Sequence, residues 1–448
     1  VDPPGGLPGL RQRGGPPMTR PPTSPPASAP AEASTQAQVP APPPDRPVVR
    51  ADSRVGLPEL SIVPDGDEYV VGDPATGQFV SLPEIGVVAI RALSADVTIA
   101  QAAVPVSAAA GEDVNLVEFV ATLLECGLVR SLDGVLVGPA APARESRWLA
   151  RIRPEHARIL FGPVAWTLYA AALCWSAGVW LVDGQYRPAL EDVLFYPDPL
   201  VCMAVLFPVT TGLAMAHEVW HWLAARALGV GARISTGRRA FFFVLQTDLA
   251  ALWSLPRRRR LGPLAAGVAF DALVLGVALA VRVAGARWGI APLLDRFLAA
   301  IVLRQTIVIG WQLLVCVRTD GYLLISTALG CRNLLDTAKL HVRSRLYRLT
   351  PAQAATLAGT PPHERRVAAW YGPLLVAGVA FLALLFVNYW VPAMAISGAW
   401  IGWGIAGAPW GSRAFAEAAV PALVMLVQFL APAAVAVRDR RRARRGVR

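Results

Sequence analysis

Between residues 200 and 228 the chain is apolar and long enough to cross a bilayer, yet histidines and a glutamate interrupt it. The interruption reads Met215-Ala216-His217-Glu218-Val219-Trp220-His221. His217, Glu218, His221 and Arg226 are the only acidic, basic or histidine side chains in this run. Ionisable groups inside a spanning helix cost free energy, so their presence there points to function. On a helix the two histidines fall at i and i+4, one turn apart on one face, where both rings reach a single metal ion. Glu218 adjoins the first of them and is placed to take a proton from a water at that ion. Leu213, Ala214, Ala224 and Ala225 lie on the same face, mostly small residues that leave room for other helices or a substrate. Zn2+ is the expected ion, and the alternative is a pair of structural histidines.

The rest of the chain fits a membrane setting. Apolar residues make up 54% and charged residues 16% of it, and the mean hydropathy is +0.45. The net charge of +11 is almost wholly arginine, with Lys339 the only lysine. Six apolar spans are expected, at 159–182, 200–228, 261–283, 297–317, 367–391 and 414–437. Arginine-rich segments flank them at 144–158, 226–260, 318–366 and 438–448. The remaining loops carry acids or tryptophans, so both termini are expected in the cytoplasm of a cell whose inner membrane holds the protein. This distribution of arginine reads as membrane orientation, and no nucleic-acid partner is expected. The five cysteines contain no C-x-x-C pair and read as packing. No secretory leader is expected, the first apolar span coming far into the chain. The segment at 240–247, directly after the H-E-x-x-H helix, is too short to span and is expected as a β-hairpin or a re-entrant segment.

Three parts are expected: a disordered Pro/Ala-rich extension at 1–50, a small soluble domain at 51–138, and a membrane domain at 143–448. In the soluble part, residues 68–82 form two β-rich runs about an Asp-Pro-Ala-Thr-Gly turn, a hairpin signal. Helices follow from Pro83, from near Val97, and from an N-cap at Asp113, the last with Leu116, Phe119, Val120, Leu123 and Leu124 as its buried stripe. A short wing is expected to close the domain. The fold class is thus mainly α: a polytopic membrane helix bundle with a small α+β winged-helix-like domain at the N-terminus. That domain resembles the PqqD-like peptide-recognition domains of ribosomal peptide maturation. The resemblance implies a peptide bound as an added strand along the hairpin, at Tyr69, Val70, Val71, Phe79 and Val80.

Two histidines and a water leave tetrahedral zinc one protein ligand short, and a carboxylate is the usual completion. Asp320, in Arg318-Thr-Asp-Gly-Tyr-Leu-Leu at the end of the fourth expected span, is the preferred third ligand. Gly321 after it would allow close approach of backbone to metal or substrate. Asp271 in the third span is the alternative, or a group supporting the ligands. Gln305 and Gln312 share a helix face and are expected to hydrogen-bond between helices.

An H-E-x-x-H on one membrane helix followed by an Asp-Gly on a later one resembles the site-2 protease family of zinc metalloproteases. The run from Arg318 to Leu334 is similar to the bacterial peptide zinc metalloprotease branch. The resemblance implies His217, His221 and Asp320 as ligands, Glu218 as base, and a peptide or membrane-anchored substrate. One element departs from the pattern: Leu314-Val315 stands where the family often has Asn-Pro, an element associated with substrate binding. A catalytically inert scaffold or export accessory that binds a modified peptide is the competing expectation, and a regulatory protease releasing a transcription factor is a third.

Overall fold

The computed structural model describes residues 48–138, 152–239, 242–424, 426 and 430. The bulk of the expected N-terminal extension, the end of the sixth expected span and the arginine-rich C-terminus lie outside these residues. The described chain is mainly helical with a small N-terminal strand region.

Strands β1 (Val55–Gly56), β2 (Ser61–Asp65), β3 (Glu68–Asp73) and β4 (Gln78–Leu82) precede helices α1 (Glu84–Leu93), α2 (Ile99–Ala110) and α3 (Leu116–Glu125). β5 (Ser131–Leu132) and β6 (Val135–Leu136) make the short wing, which pairs back onto β1. The hairpin is where alternation places it, but β2 adds a third strand and the sheet order is β2-β3-β4. Pro64 interrupts β2 at a position that suits an edge strand, and the Pro disguises the strand in the sequence. α3 starts one turn's fraction later than expected: Asn115, not Asp113, caps it by accepting from the Glu118 amide. Leu116, Val120 and Leu123 are buried from α3, and Val71 from β3 joins them in one core with α1 and α2.

After α4 (Pro154–Ile159) come α5 (Pro163–Val182), α6 (Pro199–Ala227), the hairpin β7 (Arg233–Arg239) and β8 (Phe242–Asp248), and then α7 (Arg257–Trp288). α8 (Pro292–Gln312), α9 (Asp320–Ala328), α10 (Leu334–Leu346), α11 (Pro351–Gly359), α12 (Pro362–Leu385) and α13 (Val391–Gly407) follow, and helical backbone resumes at 413–424. Four helices among the described residues are long and apolar enough to cross a membrane: α5, α6, α7, and α12 continued to Asn388. Six spans were expected. The fourth of them is α8, which ends at Gln312 and carries Asp295, Arg296 and Arg304, too polar a set for an ordinary span. The sixth is described over its first half, as helical backbone at 413–424, and its end lies outside the described residues. The short apolar stretch expected at 240–247 contributes β8, which pairs with β7 from Arg233↔Asp248 to Arg239↔Phe242; residues 240 and 241 lie outside the described residues.

α7 organises this part. It packs against α5, α6, α8 and α9 and is the most buried of the four long apolar helices. Its runs of Gly and Ala let neighbouring backbones come close, as membrane helix packing requires. The N-terminal domain meets the same helix. Its sheet rests on a 3-10 turn at Ala250–Ser254, and Asp65 at the end of β2 bonds to Arg257 (2.8 and 3.0 Å) and Arg260 (2.9 Å). Glu68 pairs with Arg332 beside them. Burial pushes the Asp65 carboxyl up, but the bonds from Arg257 and Arg260 outweigh it and hold the group below its ordinary value.

Candidate metal centre

α6 begins cleanly, with Asp198 accepting from the Leu200 amide and Pro199 in the first turn. Its i, i+4 spacing puts His217 and His221 on the face turned to α7, and both are buried. Asp320 opens α9, where Thr319 caps the helix by accepting from the Tyr322 amide at 3.2 Å. The three meet. Asp320 Oδ2 lies 3.1 Å from His217 Nε2 and 3.3 Å from His221 Nε2, and the two Nε2 atoms are 3.2 Å apart. Among the described residues this is the group of His, Cys, Asp and Glu side chains able to hold a metal ion.

The far side of each ring fixes which nitrogen faces the centre. His221 Nδ1 lies 2.7 Å from the Pro263 carbonyl, which can only accept, so Nδ1 carries the hydrogen and, in the neutral ring, Nε2 presents the lone pair. His217 Nδ1 lies 2.7 Å from Asp271 Oδ2. That carboxylate is fully buried and also takes bonds from Gln305 Nε2 (3.0 Å) and Arg304 (3.3 Å), so the ring donates to it. Two imidazole lone pairs and a carboxylate therefore converge on one point, an arrangement that a shared cation satisfies. Asp271 thus stands behind the ligand set rather than in it, and Gln305 bonds between helices as expected.

Gly267 is the residue sequence reasoning passed over. A Cβ there would overlap Nε2 of both histidines, so only glycine lets α7 come this close. Its spacing becomes a signal only once the facing helix is known: Pro263, Gly267 and Asp271 recur at i, i+4 and i+8, one face of α7 laid along the histidine face of α6. Gly321 has a different task from the one expected. A Cβ on it would collide with the Gln312 carbonyl, so its bareness lets α9 pack on the end of α8. Gln312 itself accepts from the Asp320 amide through Oε1 at 3.0 Å, which holds Asp320 in place in this group.

Glu218 lies outside the ligand group and faces the same cavity. Its Oε2 accepts from the Thr247 amide at 2.7 Å, and its backbone carbonyl accepts from the Thr247 hydroxyl at 2.8 Å, so β8 fixes it. Glu218, His221 and Asp320 line a cavity of about 280 Å³ with Thr247, Trp253 and Arg260. Arg260, buried at the cavity wall, is the guanidinium that Asp65 holds from the N-terminal domain, and it stacks 4.5 Å over Trp253.

The peptide-binding residues expected along the hairpin fall into two groups. Tyr69, Val70 and Val71 belong to β3, which is the central strand, with β2 on one side and β4 on the other. Its backbone groups are spent on those ladders, so an added strand cannot bond to them. Val70 and Val71 are buried on opposite faces of the sheet. Phe79 and Val80 sit on β4, beyond which no further strand pairs among the described residues. Compared with protein-family models, curated proteins and solved structures, the chain matches none.

Proposed function

We propose that the chain is a membrane-embedded zinc metallopeptidase of the site-2 protease kind, acting on a peptide or membrane-anchored substrate. The observation that carries this reading is the meeting of His217, His221 and Asp320 around one point with Glu218 beside them but outside the ligand set. Donor atoms held about 2.0–2.1 Å from a tetrahedral zinc lie roughly 3.4 Å from one another. The three separations of 3.1, 3.2 and 3.3 Å agree with that figure and with a fourth corner left for water. Bound zinc would supply a Lewis acid for the scissile carbonyl and a water acidic enough to react at neutral pH.

The protein's own groups do the rest. Asp271 and the Pro263 carbonyl fix the imidazole tautomers, and Arg304 and Gln305 fix Asp271. The Glu218 carboxylate, oriented by the Thr247 amide, takes the proton of the attacking water and returns it to the leaving amine. The N-terminal domain, in this reading a PqqD-like peptide-recognition module, takes its peptide along β4 as a fourth strand. Maturation or export of a ribosomally made peptide is the process such an arrangement would serve. An inert scaffold would have no use for a carboxylate held beside the ligands, and this favours the enzyme.

The test compares new peptide N-termini in membranes carrying the wild type and Glu218→Gln. Termini present with the wild type and absent with the variant are the expected result. Identical sets would overturn the protease reading and leave the scaffold.

A further inference from the structure

Four successive arginines open α7, and they divide between two tasks. Arg257 and Arg260, on one face, hold Asp65 of the N-terminal domain. Arg258 and Arg259 are exposed on the opposite face and have no side-chain partner among the described residues. They border a cavity of about 650 Å³ between the start of α5, the end of α6 and the first turns of α7. Arg158 is the third cation at its edge, tethered through Nε to the Ala227 carbonyl at 3.0 Å. None of the described residues lining the cavity is acidic. Its walls are apolar: Phe161, Trp166, Leu228, Leu261 and Leu324 among them.

The position of this cavity along the helices says what fits it. α5 starts, α6 ends and α7 starts within a few residues of it, so it lies where apolar span gives way to arginine-bearing ends. Trp166 packs there with Phe161 (6.2 Å between ring centres) and Tyr169 (5.7 Å), the aromatic layer typical of a membrane–water boundary. Three guanidiniums above an apolar recess match an amphiphile with a phosphate head and acyl tails.

We propose that this cavity is a binding site for an anionic phospholipid, whose phosphate lies among Arg158, Arg258 and Arg259 and whose acyl chain enters beside Trp166. The proposal does not depend on the protease reading. It touches the metal centre at one place, because Pro263 lines the cavity and also accepts from His221. A lipid seated there packs the turn of α7 that orients this ring.

The full chain in detergent is titrated with phosphatidylglycerol, with phosphatidylcholine of the same chains, and with inorganic phosphate, and bound lipid is read by native mass spectrometry. Phosphatidylglycerol should be retained and phosphatidylcholine should not. Each guanidinium at an anionic headgroup is worth roughly fivefold in affinity, so R258Q/R259Q together should weaken retention about 25-fold. Arg345→Gln, which alters an exposed arginine elsewhere, should leave it unchanged. Should the double variant lose its helical circular dichroism, Arg158→Gln carries the test with a roughly fivefold loss. Equal retention of the two lipids, undiminished retention in the cavity variants, or an equal loss in Arg345→Gln would overturn the site. Displacement of the lipid by millimolar inorganic phosphate would assign the arginines to a free anion instead.

Discussion

Asp271 bonds to the His217 ring and Glu218 lines the cavity that His221 borders, and their surroundings give the two carboxylates opposite work. Asp271 is fully buried and fixed by Arg304, Gln305 and the His217 ring, so its influence on a metal held by the group would pass through His217. Asp271→Asn should therefore keep the fold and weaken zinc binding about 10–100-fold, measured by chelator competition. Loss no greater than that of a distant exposed Asp→Asn would show that it does not support the ligand. Glu218 is not part of the His217–His221–Asp320 group, so Glu218→Gln should retain zinc while turnover falls ~10²–10⁴-fold. Gly267→Ala tests the close approach of α7: its methyl has nowhere to go but the space of the two Nε2 atoms, and metal binding should be lost. The histidines, the glutamate and both aspartates were legible in the sequence because titratable groups stand out in apolar runs. Gly267 was not, since a glycine in a Gly/Ala-rich helix looks like packing until the facing helix is known.

At the scale of elements, the hairpin β3–β4 and the three helices of the N-terminal domain could be read from alternation and capping, whereas the strand order could not. β2 is broken by Pro64, and nothing local says that it covers the free side of β3. The consequence is a sharper test of peptide binding. Proline at Phe79 or Val80, on the edge strand β4, should weaken the capture of a peptide that Glu218→Gln leaves uncut, if that residue's amide faces outward. Proline at Val70 should instead unfold the sheet, visible as lost thermal stability of the domain, because both sides of β3 are paired. The clasp between β2 and α7 is also testable. Asp65→Asn removes the charge that faces buried Arg260, a loss on the order of 3–5 kcal/mol, and should lower the melting temperature of the full chain. The Asp65 carboxyl is held below its ordinary value, so its contribution is complete above roughly pH 4 and fades as the pH drops through the lowered value. Docking that weakened on raising the pH from 5 to 8 would contradict this sign.

At the scale of the whole molecule, the periodicity of apolar and arginine-rich segments announces a membrane protein, and four helices are long and apolar enough to span. Of the two other expected spans, 297–317 falls on α8, which breaks at Gln312 although the sequence reads on toward the Asp320 segment, and 414–437 is described in part. The arginine distribution predicts that externally added thiol reagents reach a cysteine placed near Gly184 and not one near Gly237. The reverse pattern would invert the molecule. The His217–His221–Asp320 group exists only in the assembled chain. His217 and Asp320 are 103 positions apart and meet only when α6, α7, α8 and α9 are packed together. The most direct measurement is therefore the zinc content of the purified full chain and of His217→Ala, Asp320→Ala, Asp271→Ala and Glu218→Gln. About one zinc per chain is predicted for the wild type and Glu218→Gln, with His217→Ala and Asp320→Ala reduced by one to two orders of magnitude. Full occupancy in Asp320→Ala, or none in the wild type, would contradict the account.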